Sequence, residues 1–497
     1  MKIRRVVVLA AALGLARASV LRAYHVTDIH IDPYYEEGVP SGDGCYCEAH
    51  ASCPQGVGEQ CVVGSPNASS APAGPFGDSE GDCATPPSLW ASALAFMASA
   101  SGPAPDARFV FLTGDYGEAG NSYPCPADGD ADTAREQVAW MIENASAAVR
   151  AALPNAKLFG CLGNHDAAPG DGYGNSSAMA YLYEALAADG AAYSADLDEA
   201  ARATLREGGW YAQRVALDGG GDAPGQLVVV SLNVNYWAPG MNAEPTGALA
   251  EAQFAWLNAT LAAAAAARDA VVVLGHEAPS AGRSDGWSPG LFARYERLLA
   301  AAADDGAAIA AQLLGHEHTD WWTATRACGG DGDDSCAGAM TGAMLVGPAL
   351  TEGYPATNPA LRLLEFVAPP PRAAAPAAPR APPAPPAPSP PALALRDALT
   401  YYADLRAANA RGRLEWELEY SFRDFFGMDD LGPASFEALH ARLAADDALW
   451  DEYAGRGNGT LFYARYAGAG DGYGPQACEG ACRAALICAL NQTYAGC

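Results

Sequence analysis

Positive charge is scarce in this chain. Lys and Arg number 29 against 58 Asp and Glu, a formal net charge of −29 at pH 7. That balance excludes the basic face through which nucleic-acid polymers and anionic membranes are bound. It also repels anionic ligands at long range, so any anion held here needs local positive charge. Long apolar runs are missing too. The stretch Val6–Ala16 falls well short of the ~20 residues that span a bilayer, and Ala262–Ala267 reads as an Ala-rich helix segment, so no transmembrane segment is expected. Histidine is rare, with 8 in 497 residues, which makes its placement informative.

What is present points to export. Lys2, Arg4 and Arg5 precede the apolar stretch, and Ala16-Arg17-Ala18 offers a cleavage site, the pattern of a signal peptide over residues 1–18. Thirteen Cys fit an oxidising compartment. Cys328 and Cys336 bracket a Gly/Asp-rich loop and are expected to pair locally. Cys45, Cys47, Cys53, Cys61, Cys83 and Cys125 supply three more bridges of open connectivity, with a metal role for Cys45 and Cys47 as the alternative. Cys161 is left over as a buried thiol. Six N-x-S/T triplets, at Asn67, Asn144, Asn175, Asn258, Asn458 and Asn491, are candidate glycosylation sites.

Five of the eight His fall in five short blocks, each behind an apolar run. Asp28-Ile29-His30 follows Ala23–Thr27, and Gly114-Asp115 follows Phe109–Thr113. Gly163-Asn164-His165-Asp166 follows Leu158–Leu162, Gly275-His276-Glu277 follows Val271–Leu274, and Gly315-His316-Glu317-His318 follows Gln312–Leu314. Apolar runs bounded by Gly read as buried strands, and ligands just past their carboxyl ends converge in the crevice of an α/β sheet. Imidazole and carboxylate suit zinc and its neighbours, and two such ions can clamp an in-line phosphoryl displacement. Asp28 and His30, two apart in an extended segment, are expected to point to one side, as are His316 and His318.

These blocks, in this order, resemble the calcineurin-like metallophosphoesterase superfamily. The resemblance implies that Asp28, His30 and His318 bind one metal, that Asn164, His276 and His316 bind a second, and that Asp115 bridges them. It implies two divalent ions, Zn2+ first among them, and a metal-bound hydroxide as nucleophile. His165 would protonate the leaving oxygen, with Asp166 setting its tautomer. Further segments, Tyr24–Pro33, Gly74–Asp78, Gly208–Tyr211, Ser231–Asn235 and the tail cysteines Cys478, Cys482, Cys488 and Cys497, look like the acid sphingomyelinase-like phosphodiesterases. From that likeness follow pairings Cys478–Cys482 and Cys488–Cys497, and a four-layer α/β/β/α sandwich with a small disulfide-stapled helical C-terminal subdomain. The family's usual His four residues after the bridging Asp is Ala119 here, which leaves a metal-binding protein of weakened catalysis as the alternative. Room before Asp28 is too short for a saposin module, favouring a nucleotide-type phosphodiester over sphingomyelin. A secreted or lysosome-like monomer acting on a small-molecule or lipid phosphodiester is the resulting expectation.

The organisation expected is a catalytic domain over 21–367, an Ala/Pro tract over 368–392, and a last strand plus helical part over 393–497. Leu361–Val367 and Ala398–Leu405 look like hairpin arms whose turn the tract enlarges. Thr133–Leu153 and Ser88–Ser101 read as covering helices, and Leu414–Phe426, Phe436–Ala444 and Ala477–Leu490 as C-terminal helices. Asn233, Asn235 and Tyr236 are candidate substrate contacts, and Trp237, Trp321 and Trp322 candidate pocket walls.

Overall fold

A computed structural model describes residues 20–33, 35, 37–38, 72–78, 83–117, 131–167, 176–217, 226–238, 246–279, 287–328, 336–351, 358–367, 393–455, 483–484, 487–488 and 490. Outside the described residues lie the expected signal segment, position 119, the 368–392 tract, Cys45, Cys47, Cys53, Cys61, Cys125, Cys478, Cys482 and Cys497, and the triplets at Asn67, Asn175, Asn458 and Asn491.

Twelve strands are described, in two six-stranded sheets. The first has the order β12-β11-β10-β1-β2-β3, built from Trp416–Ser421, Ala394–Ala403, Ala360–Val367, Val20–Val26, Phe109–Thr113 and Lys157–Cys161 respectively. The second runs β4-β5-β6-β7-β9-β8, from Tyr211–Val215, Leu227–Ser231, Ala270–Leu274, Ala308–Leu314, Met340–Val346 and Trp321–Arg326. Strands β1, β2 and β3 are parallel, and so are β5, β6 and β7. Their composition explains their place. Phe-Val-Phe-Leu-Thr in β2, Leu-Val-Val-Val-Ser in β5 and Ala-Val-Val-Val-Leu in β6 are buried at every position, as parallel strands covered on both faces must be. Each fully buried Val, Leu or Phe contributes on the order of 1.5–3 kcal/mol against solvent exposure.

Ten helices are described: α1 (Pro87–Ala98), α2 (Ala131–Ala152), α3 (Ser176–Leu186), α4 (Glu199–Gly208), α5 (Thr246–Ala267), α6 (Pro289–Asp304), α7 (Leu405–Arg411), α8 (Phe422–Phe426), α9 (Pro433–Ala445) and α10 (Asp447–Gly455). Helix α2 packs on β3 and α6 on β7 and β8, while β3 meets β5 and β11 meets β7 between the sheets. The mixed α/β fold with two stacked sheets is the one the sequence led us to expect. No helix among the described residues is long and apolar enough to cross a membrane.

One C-terminal expectation is corrected. Residues 393–455 contribute two strands as well as helices, and the segment read as a helix over Leu414–Phe426 is mainly β12, followed by the short α8. Trp416-Glu417-Leu418-Glu419-Tyr420 alternates strictly between ring or apolar side chains and carboxylates, the period of a strand rather than a helix. Strands β10 and β11 pair antiparallel from Ala360↔Tyr402 to Val367↔Ala394, with the Ala/Pro tract joining them in sequence. Cys328 and Cys336 are bonded, Cys161 is a buried free thiol, and Cys83 and Cys488 are each in a disulfide. Asn144 on α2 and Asn258 on α5 are both exposed.

Candidate metal centre

The five blocks follow β1, β2, β3, β6 and β7, and the folding of parallel strands brings their ends together. The local backbone is unusual. Asp28, His30, Asp115, His316 and His318 have φ of 48°, 43°, 55°, 75° and 58°, and among the described non-Gly residues only Arg268 shares that region. The expected extended geometry for Asp28-x-His30 and His316-x-His318 is therefore wrong: left-handed residues, not pleat alternation, turn these side chains inward. Each such residue costs roughly 1–2 kcal/mol, and strain concentrated in this way is characteristic of functional sites.

Two groups of donors result. In the first, Asp28, His30 and His318 are buried, with His30 Nε2 3.1 Å from His318 Nε2 and Asp28 Oδ1 3.4 Å from His318 Nε2. In the second, Asp115, His276 and His316 gather around Asn164, whose Oδ1 lies 3.0 Å from His276 Nε2 and 2.9 Å from His316 Nδ1. Asp115 Oδ2 is 3.5 Å from His30 Nε2 and 3.2 Å from His276 Nε2, so one carboxylate oxygen borders both groups.

The outer contacts decide which nitrogen faces inward. His30 Nδ1 is 2.9 Å from the Gly117 carbonyl and His276 Nδ1 2.7 Å from that of Thr113. A carbonyl only accepts, so both Nδ1 atoms carry hydrogen and both Nε2 atoms turn to the centre, the orientation a metal needs. The carboxylates call for positive charge. Burial alone raises the Asp28 carboxyl, but His318 and His276 hold it down at about 2, and Asp115 is held well below the usual range in the same way. Burial disfavours a charged His276, yet the Asp115 carboxylate lifts it to about 10. Two divalent cations would meet the same demand, and the donor set of four His, two Asp and one Asn fits them.

Close approach explains the glycines. A Cβ at Gly163 would run into the Asp115 carboxylate and meet its backbone nitrogen at 2.6 Å, and one at Gly315 would collide with Thr27 and meet Asp28 Oδ2 at 2.8 Å. His165 donates its backbone N–H to Asp115 Oδ1 at 2.9 Å, and its partly exposed ring stands edge-on to that of His30, centroids 5.4 Å apart. Asp166 differs from expectation. Its carboxylate accepts from the backbone N–H groups of Gly163, Asp115 and Tyr116 at 2.7, 2.8 and 3.0 Å, tying the two ligand loops together rather than orienting the His165 ring. Burial, then the Asp115 charge, pushes its carboxyl up to about 7.

The three candidate substrate contacts are tied into the fold. Asn233, Asn235 and Tyr236 are fully buried. Asn233 Nδ2 donates to the Tyr183 hydroxyl and the Gly208 carbonyl, Asn235 Nδ2 donates to the Leu162 carbonyl and Asn233 Oδ1, and the Tyr236 and Tyr183 hydroxyls lie 2.6 Å apart. This network anchors the chain after β5 and faces the protein interior. Trp237 stacks on Phe254 at 4.5 Å, and Trp322 packs on Phe436; with Trp321 they belong to the core. Sequence reading passed over His25, which is buried with Nε2 2.9 Å from Thr113 Oγ1. Its position directly before Val26-Thr27-Asp28 was the available signal.

The family model described as calcineurin-like phosphoesterase matches residues 21–320, and that of the acid sphingomyelin phosphodiesterase C-terminal region matches residues 389–495. The chain is similar to acid sphingomyelinase-like phosphodiesterase 3b of Homo sapiens, 26% identical over 490 residues, covering 96% of this chain and 89% of the relative. It is 28% identical over 436 residues to the cyclic GMP-AMP phosphodiesterase SMPDL3A of Rattus norvegicus, covering 86% and 81%. To the sphingomyelin phosphodiesterase of Homo sapiens it is 26% identical over 486 residues, covering 95% and 63%.

Proposed function

Because the chain belongs to the calcineurin-like phosphoesterase family, we propose that it is a zinc phosphodiesterase cleaving the P–O bond of a small, nucleotide-type phosphodiester or phosphoanhydride. The observation that carries this reading is Asp115 Oδ2, within 3.5 Å of a donor in each of two ligand groups. Asp28, His30 and His318 would hold one ion and Asn164, His276 and His316 the other, with Asp115 bordering both groups. Four imidazoles among seven donors favour zinc over magnesium or calcium, which prefer all-oxygen shells. When bound, the ions polarise the phosphoryl oxygens and supply a nucleophile near neutral pH.

The chain's own groups do the rest. Asp166 locks the Asp115 and Asn164 loops at fixed separation. His165, at the rim beside His30, donates a proton to the departing oxygen, a step that matters most for poor leaving groups. With a formal charge of −29, the protein repels an anionic substrate at long range, and ions held at this centre would supply local attraction. The nucleotide-type substrate is supported by the relative that acts on cyclic GMP-AMP. Export and glycosylation are supported by the Cys328–Cys336 bond and the exposed Asn144 and Asn258.

Side-by-side hydrolysis of ATP and micellar sphingomyelin by the zinc-loaded protein, with a chelator control, tests the reading. Chelator-sensitive turnover of ATP is expected. Turnover of sphingomyelin alone would move the substrate class to lipid, and silence on both with two zinc ions bound would make the chain a binding protein of this fold.

A further inference from the structure

A row of polar side chains crosses the buried face of the first sheet. His25 on β1 is the cross-strand partner of Arg362 on β10, Arg362 of Thr400 on β11, and Thr400 of Tyr420 on β12. All four are buried, Arg362 completely. Asp320, also fully buried, comes from the other sheet, one residue before β8 and two after His318. Its Oδ1 accepts from Arg362 Nη2 and its Oδ2 from Thr400 Oγ1 at 2.6 Å.

Such a row is costly to bury, and it leads to the metal ligands by two routes. Asp320 ends the loop that carries His316 and His318, so fixing its carboxylate fixes where that loop leaves the centre. On the other side of Arg362, His25 Nε2 lies 2.9 Å from Thr113 Oγ1. The Thr113 carbonyl accepts from His276 Nδ1 at 2.7 Å, and the Thr27 hydroxyl lies 3.3 Å from that carbonyl and 2.8 Å from Asp28 Oδ2.

We propose that Arg362, Asp320 and Thr400 are positioning residues for the metal centre, a clamp through which the C-terminal strands set the placement of His316, His318 and His276. The clamp makes the region after the Ala/Pro tract part of the site's support rather than an appended unit. The inference rests on the metal-centre reading. Groups hydrogen-bonded to a metal ligand change metal affinity by about 10–100-fold when removed; Asp320 acts on His318 through the backbone two residues away. Thr400, one contact further out, belongs at the lower end.

The test compares Thr400→Val, which keeps the shape and loses the hydroxyl, with Thr400→Ser, which keeps the hydroxyl. Zinc affinity is read by competition with a chromophoric chelator, and melting of the metal-free protein is followed separately. The clamp predicts roughly tenfold weaker zinc binding in Thr400→Val and near wild-type binding in Thr400→Ser, whatever the two melting temperatures. Wild-type zinc affinity in Thr400→Val, or equal loss in both variants, overturns it, because the hydroxyl then carries no positioning. A wild-type chain that takes up no zinc sinks this inference together with the metal-centre reading, whereas two zinc ions held alike by wild type and Thr400→Val sinks this inference alone. Arg362→Met should weaken zinc further, by stranding Asp320 in the interior.

Discussion

At the level of single residues, the site separates groups that hold from groups that react. His165 is the partly exposed imidazole whose ring faces His30 and whose backbone N–H is tied to Asp115. Replacing it should leave both ligand groups intact. His165→Ala is therefore expected to keep two zinc ions, read by elemental analysis, while losing about 10²- to 10⁴-fold in turnover of a substrate with a poor leaving group. A nitrophenyl ester, whose leaving group needs little protonation, should suffer much less. Equal turnover of the poor substrate by variant and wild type would remove His165 from the reaction. The seven candidate ligands were legible because each sits in a short block behind an apolar run, four of the five blocks opening with Gly, and the chemistry of such a block is local. The left-handed backbone of five of them, Asp28, His30, Asp115, His316 and His318, was not, since non-Gly residues rarely adopt a positive φ and their identity does not announce it. Nor was the fate of Asn233 and Asn235, whose partners Tyr183, Gly208 and Leu162 lie 25 to 73 residues away. A polar residue near a ligand block looks the same in sequence whether it faces the crevice or the core.

Among the elements, β10 decides how the C-terminal region is attached. It pairs with β1 on one side and β11 on the other, and β11 in turn carries β12. Cleavage within residues 368–392 breaks none of these ladders. A protein nicked there is expected to elute as one species in size-exclusion chromatography and to separate only in denaturant. Separation under native conditions would mean that the tract is a true linker between independent units. The strands bearing ligands were legible because continuous apolar runs such as Val271–Leu274 belong to the covered centre of a parallel sheet. Strand β12 was misread because Trp416, Leu418 and Tyr420 were weighed as hydrophobic content. Their alternation with Glu417 and Glu419 is the better signal, and the exposed edge of a sheet tolerates it.

For the molecule as a whole, stability should depend on pH with a definite sign. Glu296 on α6 is buried, accepts the Arg326 backbone N–H at 2.6 Å, and belongs to a contact that continues through the Arg326 guanidinium to Glu437 on α9. Burial pushes its carboxyl up to about 8 from an ordinary 4.5, against the pull of Arg326. Between those values the folded chain keeps a proton that the unfolded chain has released. Its contribution is thus fully present below pH ~4.5 and is lost as pH rises towards ~8. The charge of −29 at pH 7 acts in the same direction, since self-repulsion grows as carboxylates ionise. Zinc binding acts in the opposite one, because His ligands must shed protons to hold metal. Comparing wild type with Glu296→Gln at each pH cancels the charge and metal effects common to both. The melting temperature of wild type relative to the variant is expected to fall between pH 5 and pH 8. A constant difference across that range would show that Glu296 is ionised in the fold, with Arg326 as its counter-charge rather than only its hydrogen-bond donor.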